Sequence, residues 1–187
     1  MPLLFEKTKL PGVLLVQMNA FQDPRGYFVE QYHEAKYREG GVTCRFVQDN
    51  LSHSKGSILR GLHYQLHRPQ AKLVGVLSGA IYDVAVDIRV GSPTFGQWLG
   101  VELKAEDFRQ IFIPEGYAHG FCVLGGEATV TYKCSNLYDA ADDRGILWND
   151  PDLKIEWPSQ NPILSEKDSK HPSLEQAKQA KALPNFS

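Results

Sequence analysis

The sequence predicts an all-β protein, an antiparallel sandwich or small barrel of roughly eight to ten strands. Apolar residues recur with a period of two, which places alternate side chains on opposite faces of a sheet. The 16 glycines and 11 prolines are spread along the chain and punctuate short apolar runs, as turns do between strands. Helical patterning is weak until the C-terminus.

In chain order, strands are predicted over Val13–Asn19, Tyr27–Tyr32, Cys44–Ser52, Ser57–Gln65, Lys72–Ser78, Gly79–Val90, Gly96–Leu103, Arg109–Ile113 and Ala128–Cys134. The clearest is Gly79–Val90. Tyr82, Val84, Val86 and Ile88 share one parity, with Asp83, Asp87 and Arg89 opposite. Ala128, Val130, Tyr132 and Cys134 repeat the pattern against Glu127, Thr129, Thr131 and Lys133. Turns are predicted at Leu77-Ser78-Gly79 and Gly125-Gly126. His33–Arg38 suits one or two helical turns. Ser173 followed by Gln176 has capping-box spacing, and the run to Leu183 suits a helix stopped by Pro184. The more polar residues 159–187 are expected to wrap over the barrel.

At 187 residues and 21.0 kDa the chain fits one domain, spanning 1–187. Hydrophobic residues make up 42%, enough for a core without disulfide or metal staples. Lys plus Arg is 20 against 22 Asp plus Glu. A nucleic-acid binder usually carries a basic excess, so that class is disfavoured. Cys44, Cys122 and Cys134 are dispersed and form no C-x-x-C pair. Reduced thiols in a cytoplasmic protein are expected. Met1–Leu10 contains Glu6, Lys7 and Lys9 and lacks the apolar run of a signal peptide. No stretch approaches the ~20 apolar residues of a membrane span.

Polar and aromatic residues concentrate between Phe46 and Lys72, including Gln48, Asp49, Asn50, His53, Arg60, His63, Gln65 and His67. On a regular strand Arg60 and His63 would face opposite ways; a bulge at Gly61 would turn both inward. Alone, His63 reads as a hydrogen-bonded core histidine. Lys72 shares parity with Val74 and Val76, and an inward lysine is uncommon unless paired. Tyr132 lies on an apolar parity and its hydroxyl needs a partner. His119 follows a Pro-Glu-Gly turn, where a ligand contact and a turn-bonded histidine fit equally. Arg25 in its turn could grip a phosphate or simply be solvated. Asp142-Asp143-Arg144 and Glu166-Lys167-Asp168 read as charged loops. A metal site is the lesser reading. His63 and His67 lie about 13 Å apart on a strand at ~3.3 Å per residue, and there is no His-x-His pair.

Seven motifs in order give these residues a context: D-P-R-G-Y-F-V-E (Asp23 to Glu30), Q-D-N-L-S-H-S (Gln48 to Ser54), L-R-G-L-H-Y-Q (Leu59 to Gln65), P-E-G-Y-A-H-G-F (Pro114 to Phe121), Y-K-C-S (Tyr132 to Ser135), I-L-W-N-D-P (Ile146 to Pro151) and I-E-W-P (Ile155 to Pro158). The chain resembles the dTDP-4-dehydrorhamnose 3,5-epimerase family over residues 1–170. That resemblance implies a cupin-type jelly roll, a homodimer, no metal and no dissociable cofactor. It maps the base onto His63, the proton donor onto Tyr132, the orienting acid onto Asp168 and the enolate-stabilising lysine onto Lys72. Substrate contacts map onto Arg25, Glu30, Gln48, Asn50, Arg60, His119 and Lys167, and also onto Asp49. Asp143 stands where the family typically has a glutamate. Phe28, with Phe21 and Tyr27, is a candidate to stack on the thymine of a dTDP-sugar. Related 3- or 5-monoepimerases, a metal-dependent cupin and a non-catalytic sugar-binding cupin are the competing readings.

Overall fold

Two long strands organise the fold, β7 (Lys72–Asp87) and β10 (Tyr117–Cys134), which pair antiparallel along most of their length. The computed structural model describes residues 3–186. The remaining strands are β1 (Leu4–Lys7), β2 (Leu14–Gln17), β3 (Ala20–Asp23), β4 (Gly26–Val29), β5 (Gln48–Lys55), β6 (Leu59–Gln65), β8 (Trp98–Lys104), β9 (Arg109–Ile113) and β11 (Asp143–Gly145). Among the described residues, helices are limited to α1 (Glu34–Glu39), α2 (Leu174–Gln179) and single 3₁₀ turns at Ala105–Asp107 and Asp168–Lys170. The fold is all-β, as predicted.

Each long strand serves two layers. The first half of β7 pairs with β9 and the second with β8. The first half of β10 pairs with β6 and the second with β5. One layer therefore runs β1-β2-β9-β7-β10-β5 and the other β8-β7-β10-β6-β11. Strands that cross between layers through bulges make a jelly-roll sandwich. β3 and β4 form a separate two-stranded hairpin.

The predicted turns at 77–79 and 125–126 are these bulges, so the expected strands 72–78 and 79–90 are one. Leu77 has no partner between the pairs Val76↔Val130 and Ser78↔Thr129. Residues 125–127 are extra between Leu124↔Ala80 and Ala128↔Gly79. Gly79 has φ +73°, and a Cβ there would lie 2.1 Å from the Glu127 carbonyl oxygen, so only glycine fits. An odd insertion swaps the two faces of a strand. The inner core accordingly takes Val74 and Val76 before the bulge but Ile81 and Ala85 after it. The apolar parity Val84, Val86 and Ile88 points outward and is buried instead by the C-terminal segment, through Leu153, Leu174, Ala177 and Leu183. Asp83 and Asp87, on the parity opposite Val84 and Val86, have 0% exposure.

β1, β3 and β11 were not predicted; each has four residues or fewer, too short for a periodic signal. α2 carries the expected capping box at Ser173 and Gln176 but ends at Gln179, with Lys181 left-handed at φ +53°. Leu153 and Trp157, which precede residue 159, already pack on the outer face.

Candidate active site

The site begins with a glycine. Gly61 has φ +116°, and a Cβ would lie 2.6 Å from the Gly120 Cα and 2.7 Å from the His119 carbonyl oxygen. The register steps from His119↔His63 to Phe121↔Arg60, so three steps on β6 match two on β10. This is the bulge anticipated at Gly61. It lets Arg60 and His63 border one 140 Å³ cavity together with Lys72, His119 and Tyr132.

The neighbouring strands supply the rest by plain alternation. Tyr132 pairs with Asn50 on one side and Val74 on the other, and Cys134 pairs with Gln48 and Lys72. Directly paired residues share a face, so Gln48, Asn50, Lys72, Tyr132 and Cys134 all turn inward. They line a 310 Å³ cavity with His63, Tyr64, Gln65, Gln70, Tyr138 and Asp143. A third cavity, of 380 Å³, adjoins through Arg60, His63, Asp143, Lys167 and Asp168.

His63 Nε2 lies 2.7 Å from Asp168 Oδ1, although 105 residues separate them. The Gly61 N–H donates to the other oxygen at 3.4 Å, and the Ser165 hydroxyl oxygen accepts from the Asp168 N–H. Burial alone would raise the Asp168 carboxyl. The adjacent His171, and the hydrogen bond and charge of His63, outweigh it and hold the carboxyl well below the usual carboxylate range. Asp168 is therefore ionised and accepts the Nε2–H of His63, which leaves Nδ1 as the proton-accepting nitrogen. Burial, reinforced by Cys134, raises the Tyr132 phenol, which keeps it protonated near pH 7. Burial lowers the Lys72 ammonium, with Cys134, Asp143 and Asp83 pulling it back up. His119 Nε2 makes a second imidazole–carboxylate pair, 2.8 Å from Asp83 Oδ2. Asp143 forms an ion pair with Lys167 and accepts from the Tyr138 hydroxyl at 2.9 Å.

Four expected contacts stand apart from this cluster. Arg25 and Phe28 lie on the β3–β4 hairpin around a separate concavity with Phe21 and Tyr27. Arg25 is paired with Asp23 at 2.6 Å, and Glu30 with Lys36 at 2.7 Å. Asp49 takes the outer parity of β5, where it meets Lys133 at 2.9 Å. The sequence reading missed Asp83, Tyr138 and His171. An acid inside the valine-rich β7 was the available signal for Asp83, and spacing of three from Asp168 was the signal for His171.

Among the described residues, one group could hold a metal: His63, Asp168 and His171, whose ligand atoms lie within 4.8 Å of one another. It is not the His63, His67 and His119 set weighed from the sequence; His67 is exposed. Tetrahedral zinc with bonds of 2.0–2.1 Å would separate its ligands by about 3.3 Å. His63 and Asp168 are closer than that, at hydrogen-bond distance.

An anchored imidazole, a neutral phenol and a desolvated lysine around one cavity define an acid–base enzyme on a jelly-roll barrel. Residues 7–176 match the family described as dTDP-4-dehydrorhamnose 3,5-epimerase, a match that runs past His171. A dTDP-4-dehydrorhamnose 3,5-epimerase of Shigella flexneri is 53% identical over 164 residues, 87% of this chain and 91% of that one. The crystal structure of a dTDP-6-deoxy-D-glucose-3,5-epimerase from Legionella pneumophila, in complex with dTDP-4-keto-L-rhamnose, is 44% identical, covers all of both chains and superposes with a TM-score of 0.96. A dTDP-4-dehydrorhamnose 3-epimerase of Streptomyces niveus is 40% identical over 95% of this chain and 86% of that one. The chain belongs to the dTDP-4-dehydrorhamnose 3,5-epimerase family, and its sandwich is the cupin-type jelly roll of epimerases.

Proposed function

We propose that this chain converts dTDP-4-dehydro-6-deoxy-D-glucose to dTDP-4-dehydro-L-rhamnose by inverting C3 and C5. The carrying observation is the His63–Asp168 pair beside Lys72 and Tyr132 on one cavity. The C4 ketone acidifies the hydrogens on both carbons, because either carbanion delocalises into an enolate. His63 Nδ1 takes the proton, and Asp168 stabilises the resulting imidazolium. Such general-base catalysis is worth ~10²–10⁴-fold. Lys72 stabilises the charge growing on O4, an effect strongest where water is excluded. The Tyr132 phenol returns a proton to the opposite side of the ring. No net electron transfer occurs, so the chemistry calls for no redox cofactor.

Arg60 and Lys167 suit the diphosphate, and Gln48, Asn50 and His119 the sugar. Arg25 and Phe28 sit on an exposed hairpin outside the cavity, with Phe28 68% exposed. A homodimer in which the hairpin of a second copy reaches this site would bring them to the nucleotide. A monomer by light scattering would remove that arrangement. No helix among the described residues is long and apolar enough to cross a membrane, and free thiols at Cys44, Cys122 and Cys134 suit the cytoplasm.

The decisive experiment incubates the enzyme with the dTDP-4-keto sugar in D₂O and reads label and configuration by NMR. Wild type should take deuterium at C3 and C5 and invert both. His63→Ala should lose exchange at both carbons; retained exchange would remove His63 as the base. The 40% identity to a 3-epimerase favours a second reading, inversion of one centre with the same residues, which product stereochemistry distinguishes.

A further inference from the structure

Asp168 meets a second imidazole that the proposed reaction does not use. His171 Nε2 lies 3.4 Å from Asp168 Oδ1, the same oxygen that His63 meets at 2.7 Å, and the His171 side chain is 7% exposed. That nitrogen is buried and makes no hydrogen bond among the described residues, the Asp168 contact being close without bond geometry. The two imidazole rings stand edge to face, 5.6 Å apart at 82°. The backbone makes room for this. Gly145 pairs with His63 across β11 and β6, and a Cβ on Gly145 would lie 2.3 Å from His171 Nε2. The Leu147 N–H donates to the Pro172 carbonyl at 2.8 Å and holds the His171 segment against that strand.

We propose that His171 is a positioning residue for the base: its Nε2 carries a proton and lies 3.4 Å from Asp168 Oδ1, so the carboxylate's charge is shared between two imidazoles and His63 stays a weaker base than Asp168 alone would make it. The positive end of the N–H dipole, or a full charge if His171 is protonated, opposes an imidazolium at His63 in either case. It also holds the carboxylate rotamer that aims His63 Nδ1 at the substrate.

Arg60 lies on the strand of His63, Lys72 on β7, His119 and Tyr132 on β10, and Asp143 and Arg144 on β11. Lys167 and Lys170 flank Asp168, with Glu166 paired to Lys170. Burial keeps Tyr64 and Cys134 neutral, and Asp143 does the same for Tyr138. The variants below leave all of these in place.

The test combines ¹⁵N NMR of the imidazoles, a pH titration of His63, and the pH profile of kcat/KM. In wild type, His171 Nε2 should carry a proton near pH 7; a bare Nε2 with the proton on Nδ1 overturns the proposal. His171→Phe keeps the volume and removes the donor. It should raise the His63 midpoint and the acidic limb of the profile by about half a unit or more, and lower kcat several-fold with little change in KM. His171→Gln should bring both back toward wild type. Gly145→Ala, which displaces the ring without touching it chemically, should reproduce the phenylalanine result. Equal profiles for wild type and His171→Phe, or equal shifts for Phe and Gln, would mean a space-filling role. The inference rests on His63 as base, but its NMR readout does not. If wild type takes no deuterium at C3 or C5 while the His63 midpoint still moves, the epimerase reading fails and the shared carboxylate stands.

Discussion

At His63 the chemistry turns on which nitrogen carries the proton. Asp168 fixes Nε2–H, and the acid it brings is ionised throughout the working range because its carboxyl lies well below the ordinary value. Tyr132 is the opposite case, a phenol kept protonated by burial. A base that is free and an acid that is loaded can act in one turnover. Tyr132→Phe should therefore slow inversion far more than proton removal, seen as deuterium exchange that outruns change of configuration. Normal inversion in that variant would require another donor. Both roles depend on residues that resemblance pointed to, and the period-two pattern already turned Lys72 and Tyr132 inward. Asp83 escaped that pattern because parity was counted without the bulge at Leu77.

At the scale of elements, bulges do the positioning. Gly61 turns Arg60 and His63 to one side; the sequence marked the position because a strand glycine can host a bulge, a mark that close backbone packing leaves as well. The bulges at Leu77 and residues 125–127 were read as turns, since local sequence does not distinguish a chain that reverses from one that kinks and continues. The end of β7 is fastened by Asp87, at 0% exposure, which accepts from Arg89, Ser92 and Thr94. Burial alone would raise this carboxyl, but those donors hold it below its ordinary value. Asp87→Asn should destabilise the protein by about 3 kcal/mol near pH 7, since Arg89 loses a buried partner. A group whose folded pKa is depressed contributes fully above its unfolded pKa of about 3.9 and loses that contribution as pH falls through the folded value. The gap between wild type and Asp87→Asn in urea midpoint should thus be full at pH 7 and narrow toward pH 2. A gap independent of pH would show that the charge is not what fastens the strand.

For the whole molecule, the outer sheet face is closed by a C-terminal segment whose Leu153, Leu174 and Leu183 are all under 7% exposed. Each such leucine contributes roughly 1.5–3 kcal/mol when buried. The same segment carries Asp168 and His171 to His63, so packing of the outer face and the proposed catalytic pair share one piece of chain. Because His63 and Asp168 are spaced for proton sharing, epimerase activity should survive prolonged treatment with a strong chelator. Loss of activity with recovery on adding back a divalent metal would instead favour a metal-dependent cupin.

By itself the sequence determined the β class, most strand positions, the inward lysine and tyrosine, and the glycine that bends β6. These are local consequences of alternation and of backbone freedom at single residues. Only the tertiary structure decided that β7 and β10 each run through both layers, that Asp83 is buried, and that Asp168 and His171 meet His63 from more than 100 residues away. Those contacts depend on how bulges shift parity and on where a distant segment docks, and no pattern with a period of a few residues encodes a meeting at that range.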